Sequence, residues 1–215
     1  NSHMDSLVCS YLGDRTEQQD AIYAFLLQNR AFAVVADGMG VENAGEVASS
    51  LAVSSVAIHV KEHYNDVNDV PLLLRQALNN ANKVVYETSK TDKNYKNMGT
   101  TVVCAIIKDG ICYVANVGDS RCYIVTENTL EQISVDHSFV QEMVDKGLLS
   151  IDEAKNHPNK NMITRAIGVE RFVSVDVFSK PFKQGDKLLL ASDGLTGMLD
   201  REGIEKVLLS EGSVE

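Results

Sequence analysis

Three apolar runs of strand-like composition in this chain each stop at an aspartate. Ala31-Phe-Ala-Val-Val-Ala36 runs into Asp37-Gly38, Cys112-Tyr-Val-Ala-Asn-Val-Gly118 into Asp119-Ser120, and Leu188-Leu-Leu-Ala-Ser192 into Asp193-Gly194. A single Asp-Gly after a strand is an ordinary turn. Three such endings point to a site, because groups at the end of a rigid scaffold are held in position. Carboxylates that converge without a Lys or Arg among them repel one another. A divalent cation removes that repulsion, and an all-oxygen donor set favours Mg²⁺ or Mn²⁺. The pattern predicts a metal-dependent enzyme.

Charge excludes several other classes. The 215 residues carry 30 acidic against 20 basic side chains, a net charge of -10, with no basic patch. Nucleic acid is therefore not an expected partner. No apolar run approaches membrane-spanning length, and no charged-then-apolar leader is present. Asn1-Ser2-His3-Met4 reads as a vector remnant, which leaves residues 5–215 as a single domain. Cys9, Cys104, Cys112 and Cys122 lack Cys-x-x-Cys spacing and sit in apolar runs, as buried, reduced thiols of a cytoplasmic protein do.

Periodicity divides the chain. Residues 6–12, 21–27 and 31–36 read as strands, with Gln28-Asn29-Arg30 as a hairpin-like turn. From Asn43 to about Tyr64, small and apolar residues fall at helical spacing. Asp69 and Pro71 make a helix start for a second long helix that includes Leu72, Leu78 and Val85. Runs 100–107, 111–117 and 122–125 return to strand, with Asp109-Gly110 as a tight hairpin and 130–135 as a further strand. Residues 136–166 are polar, with short helical pieces at 138–146 and 150–156, and read as a flap over a sheet. Strands are expected at 172–178 and 187–191, and a short helix at 200–209. Strands at both ends with two consecutive helices between them argue α+β with antiparallel sheets.

Other motifs compete for a role. Arg15, in a Gly-flanked turn, is suited to bidentate phosphate binding, although an exposed surface charge is the commoner fate of an arginine. Cys9 and Arg15 have the Cys-x5-Arg spacing of cysteine-dependent phosphatases, but a thiol in an apolar strand stays protonated. His59-Val-Lys-Glu-His63 has the His-x-x-Glu-His spacing of a zinc-peptidase class. No acidic third ligand follows on a helix, and the expected environment is a solvated helix end.

Taken in order, the motifs resemble those of the metal-dependent protein serine/threonine phosphatases of the type 2C class in their bacterial form. They are Arg15-x-x-x-x-Asp20, Asp37-Gly38-Met39-Gly40, Gly99-Thr100-Thr101, Asn116-Val117-Gly118-Asp119-Ser120-Arg121, Asp136-His137-Ser138, His157-Pro158, Ile163-Thr164-Arg165-Ala166-Ile167-Gly168 and Ala191-Ser192-Asp193-Gly194-Leu195. The resemblance implies an αββα sandwich of two antiparallel sheets flanked by helices. It implies hydrolysis of phosphoserine and phosphothreonine in proteins with two ions of Mn²⁺ or Mg²⁺, and a third held more weakly. Asp37 would bridge the two ions, with the Gly38 carbonyl on one and Asp193 on the other. Asp119, with Asp193, would hold the third; Asp20 would support the site through water, and Arg15 would bind the substrate phosphate. Phosphoproteins and a cognate serine/threonine kinase are the implied partners of a monomeric signalling enzyme.

Departures from the family pattern are informative. Gln19 stands where an acidic residue is usual, Val41 replaces a frequent Gly, and Met39 sits where some relatives place a His thought to act as general acid. The family also carries one further strand with an Asp-Asn pair, and no counterpart precedes Glu215. The expectation is an incomplete C-terminal end and a weakened second ion. The same feature keeps open an alternative, a non-catalytic phosphoprotein-binding pseudophosphatase. Metal analysis at micromolar Mn²⁺ should find fewer than two stoichiometric ions; two would contradict the expectation.

Overall fold

The computed structural model of the chain describes residues 20–27 and 30–192, side chains of 24–27 excepted. The expected strand at 6–12 and helix at 200–209 lie outside the described residues, as do Arg15, Cys9 and Asp193. In chain order the described strands and helices are β1 (Asp20–Leu27), β2 (Arg30–Met39), α1 (Ala44–His63), α2 (Val70–Ser89), β3 (Gly99–Thr100), β4 (Val102–Lys108), β5 (Ile111–Val117), β6 (Arg121–Val125), β7 (Leu130–Gln132), α3 (Phe139–Asp145), α4 (Ile151–Lys155), β8 (Asp176–Pro181) and β9 (Lys187–Ala191). Among the described residues they form a six-stranded sheet, β1-β2-β4-β5-β8 with β3 added to β2, and a three-stranded sheet, β7-β6-β9. Every pairing is antiparallel.

The central strands are apolar on both faces because both faces are covered. In β4, Val102, Cys104 and Ile106 join the core formed with α1 and α2, whereas Val103, Ala105 and Ile107 join the core formed with Cys122 and Ile124 of β6. This period-2 division turns one unbroken apolar run into two packing surfaces. Two helices therefore lie on one side of the large sheet and the small sheet on the other. The second helical layer of the expected sandwich would fall outside the described residues.

Local chemistry accounts for the boundaries. α1 presents Ala44, Ala48, Ala52 and Val56, fully or almost fully buried at i, i+4 spacing, so small side chains let it approach its neighbours closely. The Asp69 side chain caps α2 by accepting from the Leu72 N–H at 3.1 Å, with Pro71 in the first turn. Asp109 and Gly110 have φ of 51° and 74°, the two left-handed residues of a type I′ hairpin. Both flap helices start at serine caps, and Ser150 with Glu153 makes a reciprocal capping box. The two ends of the flap are tied together by Phe139 N–H to Met162 O at 2.9 Å and Thr164 N–H to His137 O at 2.9 Å. No helix among the described residues is long and apolar enough to cross a membrane.

Three expected strands are shorter than their apolar runs. The run at 100–107 breaks at Thr101, because the Asp37 N–H donates to the Thr101 hydroxyl rather than to a main-chain carbonyl. The strand expected at 130–135 stops at Gln132, where the Ser134 hydroxyl takes over the Cys122 N–H. The strand expected at 172–178 begins only at Asp176. Within the lost part of that run, arginine side chains claim main-chain carbonyls: Arg75 of α2 donates to Val175 at 2.6 Å and Arg165 to Ser174 at 3.4 Å. The loop just before the run is held separately by Asn82 of α2, which donates to the carbonyls of Glu170 and Arg171 at 3.0 and 3.1 Å and accepts from the Gly168 N–H at 2.7 Å.

Gly168 (φ 89°) turns this loop directly over α2, and a Cβ there would overlap the Val85 side chain, whereas Gly147 (φ 73°) faces open space. Gly147→Ala should cost only left-handed backbone strain, about 1 kcal/mol. Gly168→Ala adds overpacking and should cost about 3 kcal/mol or more. Urea unfolding of the two variants checks the difference.

Candidate active site

Asp20 and Asp37 are direct cross-strand partners in the β1–β2 register, which puts both side chains on one face of the sheet. Like charges directly opposite each other are destabilising unless something of opposite sign lies between them. Asp37 is half-buried, the following Gly38 is buried, and Gly38 pairs with Thr100.

Thr101 joins this pair to a second acidic strand end. Its N–H donates to the Asp37 carbonyl at 3.0 Å and its hydroxyl accepts from the Asp37 N–H at 3.1 Å. The same hydroxyl lies 2.5 Å from the Ser120 hydroxyl. Ser120 is fully buried, and Asp119 beside it is 7% exposed. Gly118 makes this close approach possible: its φ is 113°, and a Cβ there would lie 2.7 Å from Thr101. The third strand end also arrives here, because the Ser192 hydroxyl donates to Asp20 Oδ2 at 3.0 Å.

Asp20, Asp37, Gly38 and the Asp119 turn are thus linked through side chains that the sequence reading had left without roles. A signal for them was present: Thr101, Ser120 and Ser192 are hydroxyl residues in the quoted motifs, two of them adjacent to an aspartate. Among the described residues no group of three or more His, Cys, Asp or Glu is spaced to hold a metal ion. Asp193, the residue after Ser192, and Arg15 lie outside them. The donors present are carboxylate and carbonyl oxygens, the set that a hard divalent cation takes, so the residues fit such an ion.

A second network braces the Asp119 turn from the flap. His137 is 5% exposed, and its Nδ1 accepts from the Gly118 N–H at 3.0 Å. That assigns the ring hydrogen to Nε2, which donates to Asp176 Oδ2 at 2.7 Å. Arg165 donates to the other oxygen, Oδ1, at 3.1 Å. Burial alone would raise the Asp176 pKa, but the hydrogen bonds from His137 and Arg165 outweigh it and hold the carboxyl below its ordinary value. Arg121 is similarly occupied. Burial lowers its pKa, but hydrogen bonds to Asp136 at 2.7–3.1 Å outweigh this and raise it above the ordinary value. Arg121 therefore positions the flap entry rather than offering its guanidinium to a ligand.

The competing motifs do not assemble. His59 and His63 stack with ring centroids 4.5 Å apart, with no third metal-binding residue among the described ones. The environment differs from the solvated helix end expected: His59 is half-buried, and among the described residues its enclosed Nε2 has no hydrogen-bond partner. Burial, with His63 adding to it, pushes the His59 pKa down. Cys104, Cys112 and Cys122 are free and buried. Burial pushes the Cys104 thiol up to about 12. A hydrogen bond with Cys112, then burial, raises Cys122, so neither thiol is a nucleophile at neutral pH.

Residues 10–210 match the family model described as protein phosphatase 2C. The serine/threonine phosphatase stp of Listeria welshimeri is 41% identical over 188 residues, covering 86% of this chain and 75% of that protein. The crystal structure of serine/threonine phosphatase Stp1 from Staphylococcus aureus superposes with a TM-score of 0.81 at 34% identity, covering 99% of this chain and 88% of that one. The catalytic domain of the serine/threonine protein phosphatase PstP, in complex with two manganese ions, superposes with a TM-score of 0.78 at 30% identity, covering 91% and 79%.

Thr101→Val keeps the shape and removes the hydroxyl that receives the Asp37 N–H. It should cost about 1–3 kcal/mol and speed hydrogen exchange at the Asp37 amide, while Thr101→Ser should keep that amide slow. Unchanged exchange in the valine variant would reject the link.

Proposed function

The chain belongs to the protein phosphatase 2C family, and from that membership we propose that it hydrolyses phosphoserine and phosphothreonine in proteins at two divalent-cation sites built from Asp37, Gly38 and Asp193, with Asp20 supporting them through water. The ions are Mn²⁺ or Mg²⁺, with a third held more weakly by Asp119 and Asp193. The observation that carries the reading is the meeting of Asp20, Asp37 and the Asp119 turn through Thr101 and Ser120.

When bound, such ions activate water and neutralise charge on the transferring phosphoryl group. The chain supplies position. The β1–β2 ladder holds Asp20 and Asp37 opposite each other, and the paired hydrogen bonds from Thr101 fix the Asp37 backbone. Gly38 offers its carbonyl, and Arg15 orients the substrate phosphate for in-line attack. Met39 carries no transferable proton, so the leaving alkoxide takes its proton from water. Buried free thiols support a reducing, cytoplasmic setting, where a cognate serine/threonine kinase would supply the substrates. Nothing favours the non-catalytic alternative, since the relatives are themselves described as phosphatases.

Asp37→Asn keeps the size of the side chain and removes its charge. Turnover of p-nitrophenyl phosphate with Mn²⁺ should fall at least a hundredfold, about 2.7 kcal/mol of barrier. Activity within about tenfold of wild type, ~1.4 kcal/mol, would reject the assignment.

A further inference from the structure

Beyond the phosphate site, a cavity of about 300 Å³ lies between the turn that follows β2 and the short turn that precedes β3, lined by Val41, Glu42, Lys93, Asn94, Lys96 and Asn97. It opens where the β2–β3 pairing ends. Met39 pairs with Gly99, and continuing that register would set Val41 opposite Asn97 and Glu42 opposite Lys96. The two segments instead part, each through a non-glycine residue in the left-handed region, Glu42 at φ 55° and Asn97 at φ 61°. Such conformations are costly for residues with a Cβ and gather at functional sites.

The lining has a net positive sign. Lys93 and Lys96 are exposed, and among the described residues neither ammonium has an ion-pair partner. One carboxylate, Glu42, faces them, so the lining carries two positive charges against one negative in a chain whose net charge is -10. Val41, at 74% exposure, forms an apolar lip.

We infer that this cavity is a substrate subsite that receives an acidic side chain of the phosphoprotein, three or four positions from the phosphorylated residue. The inference rests on the phosphatase reading above. Val41 is four residues from Asp37, at most ~13 Å along extended chain. A substrate segment in the same extended form covers that distance in three to four residues. The chain's overall charge repels acidic substrates at long range, so a local cationic pocket is where an acidic flank would be recognised.

The test uses phosphopeptides in which a single Asp is moved from four positions before to four after the phosphothreonine in a neutral background. Wild type with Mn²⁺ should show kcat/KM about fivefold or more higher when the Asp lies three or four positions away, with the gain shrinking at high salt. In Lys93→Gln/Lys96→Gln the ratio of acidic to neutral peptide should collapse towards one, and in Glu42→Gln it should rise. Equal turnover of all peptides by wild type, or an acidic preference that survives in the double variant, would overturn the subsite. Failure of wild type to hydrolyse both the peptides and p-nitrophenyl phosphate would defeat the phosphatase reading itself, and the subsite with it.

Discussion

Two carboxylates, Asp20 and Asp37, stand directly across an antiparallel pair, and the packing behind them sets where they stand. The register that sets Asp20 against Asp37 continues to Leu27 against Arg30. A slip of one residue would turn every side chain of a strand to the opposite face. In β2 that is prohibitive, because Val34 and Ala36 are buried against the helices while Ala31 and Val35 are buried against the second sheet. Hydrophobic packing on two faces thus fixes the positions of both carboxylates.

The site lies where the two sheets meet. The large sheet carries Asp20 and Asp37, and the small sheet carries the Asp119 turn, entering β6, and Ser192, leaving β9. Two hydroxyl contacts span the gap, Thr101 to Ser120 and Ser192 to Asp20. Their separation is set by the shared core of Val103, Ala105, Cys122 and Ile124. Core packing and site geometry are therefore one problem. The flap is coupled to the same turn through His137, whose ring ties Gly118 to Asp176.

Much of the fold was legible in the sequence because its signals are local. The hairpin at Asp109-Gly110 follows from two residues that tolerate positive φ, and the start of α2 from Asp69 and Pro71. The breaks at Thr101 and ahead of Asp176 were not legible. Each depends on a side chain distant in sequence taking a main-chain hydrogen bond, Thr101 from the Asp37 N–H and Arg75 to the Val175 carbonyl. The same holds for His59, for which a place near a polar helix end predicts solvent and which packing partly encloses. For the site, the aspartate positions were readable as strand ends, whereas the hydroxyl links between them were not.

By itself the sequence determined the element types of the described residues, and three apolar runs each ending in an aspartate, since these follow from periodicity and turn chemistry within a few residues. Only the tertiary structure decided that Asp20 faces Asp37, that Thr101 binds both the Asp37 backbone and Ser120, and that a cavity opens beside Val41. Those outcomes depend on strand register and sheet packing between residues up to 172 positions apart, and distances of that kind are set by the whole core rather than by any local pattern.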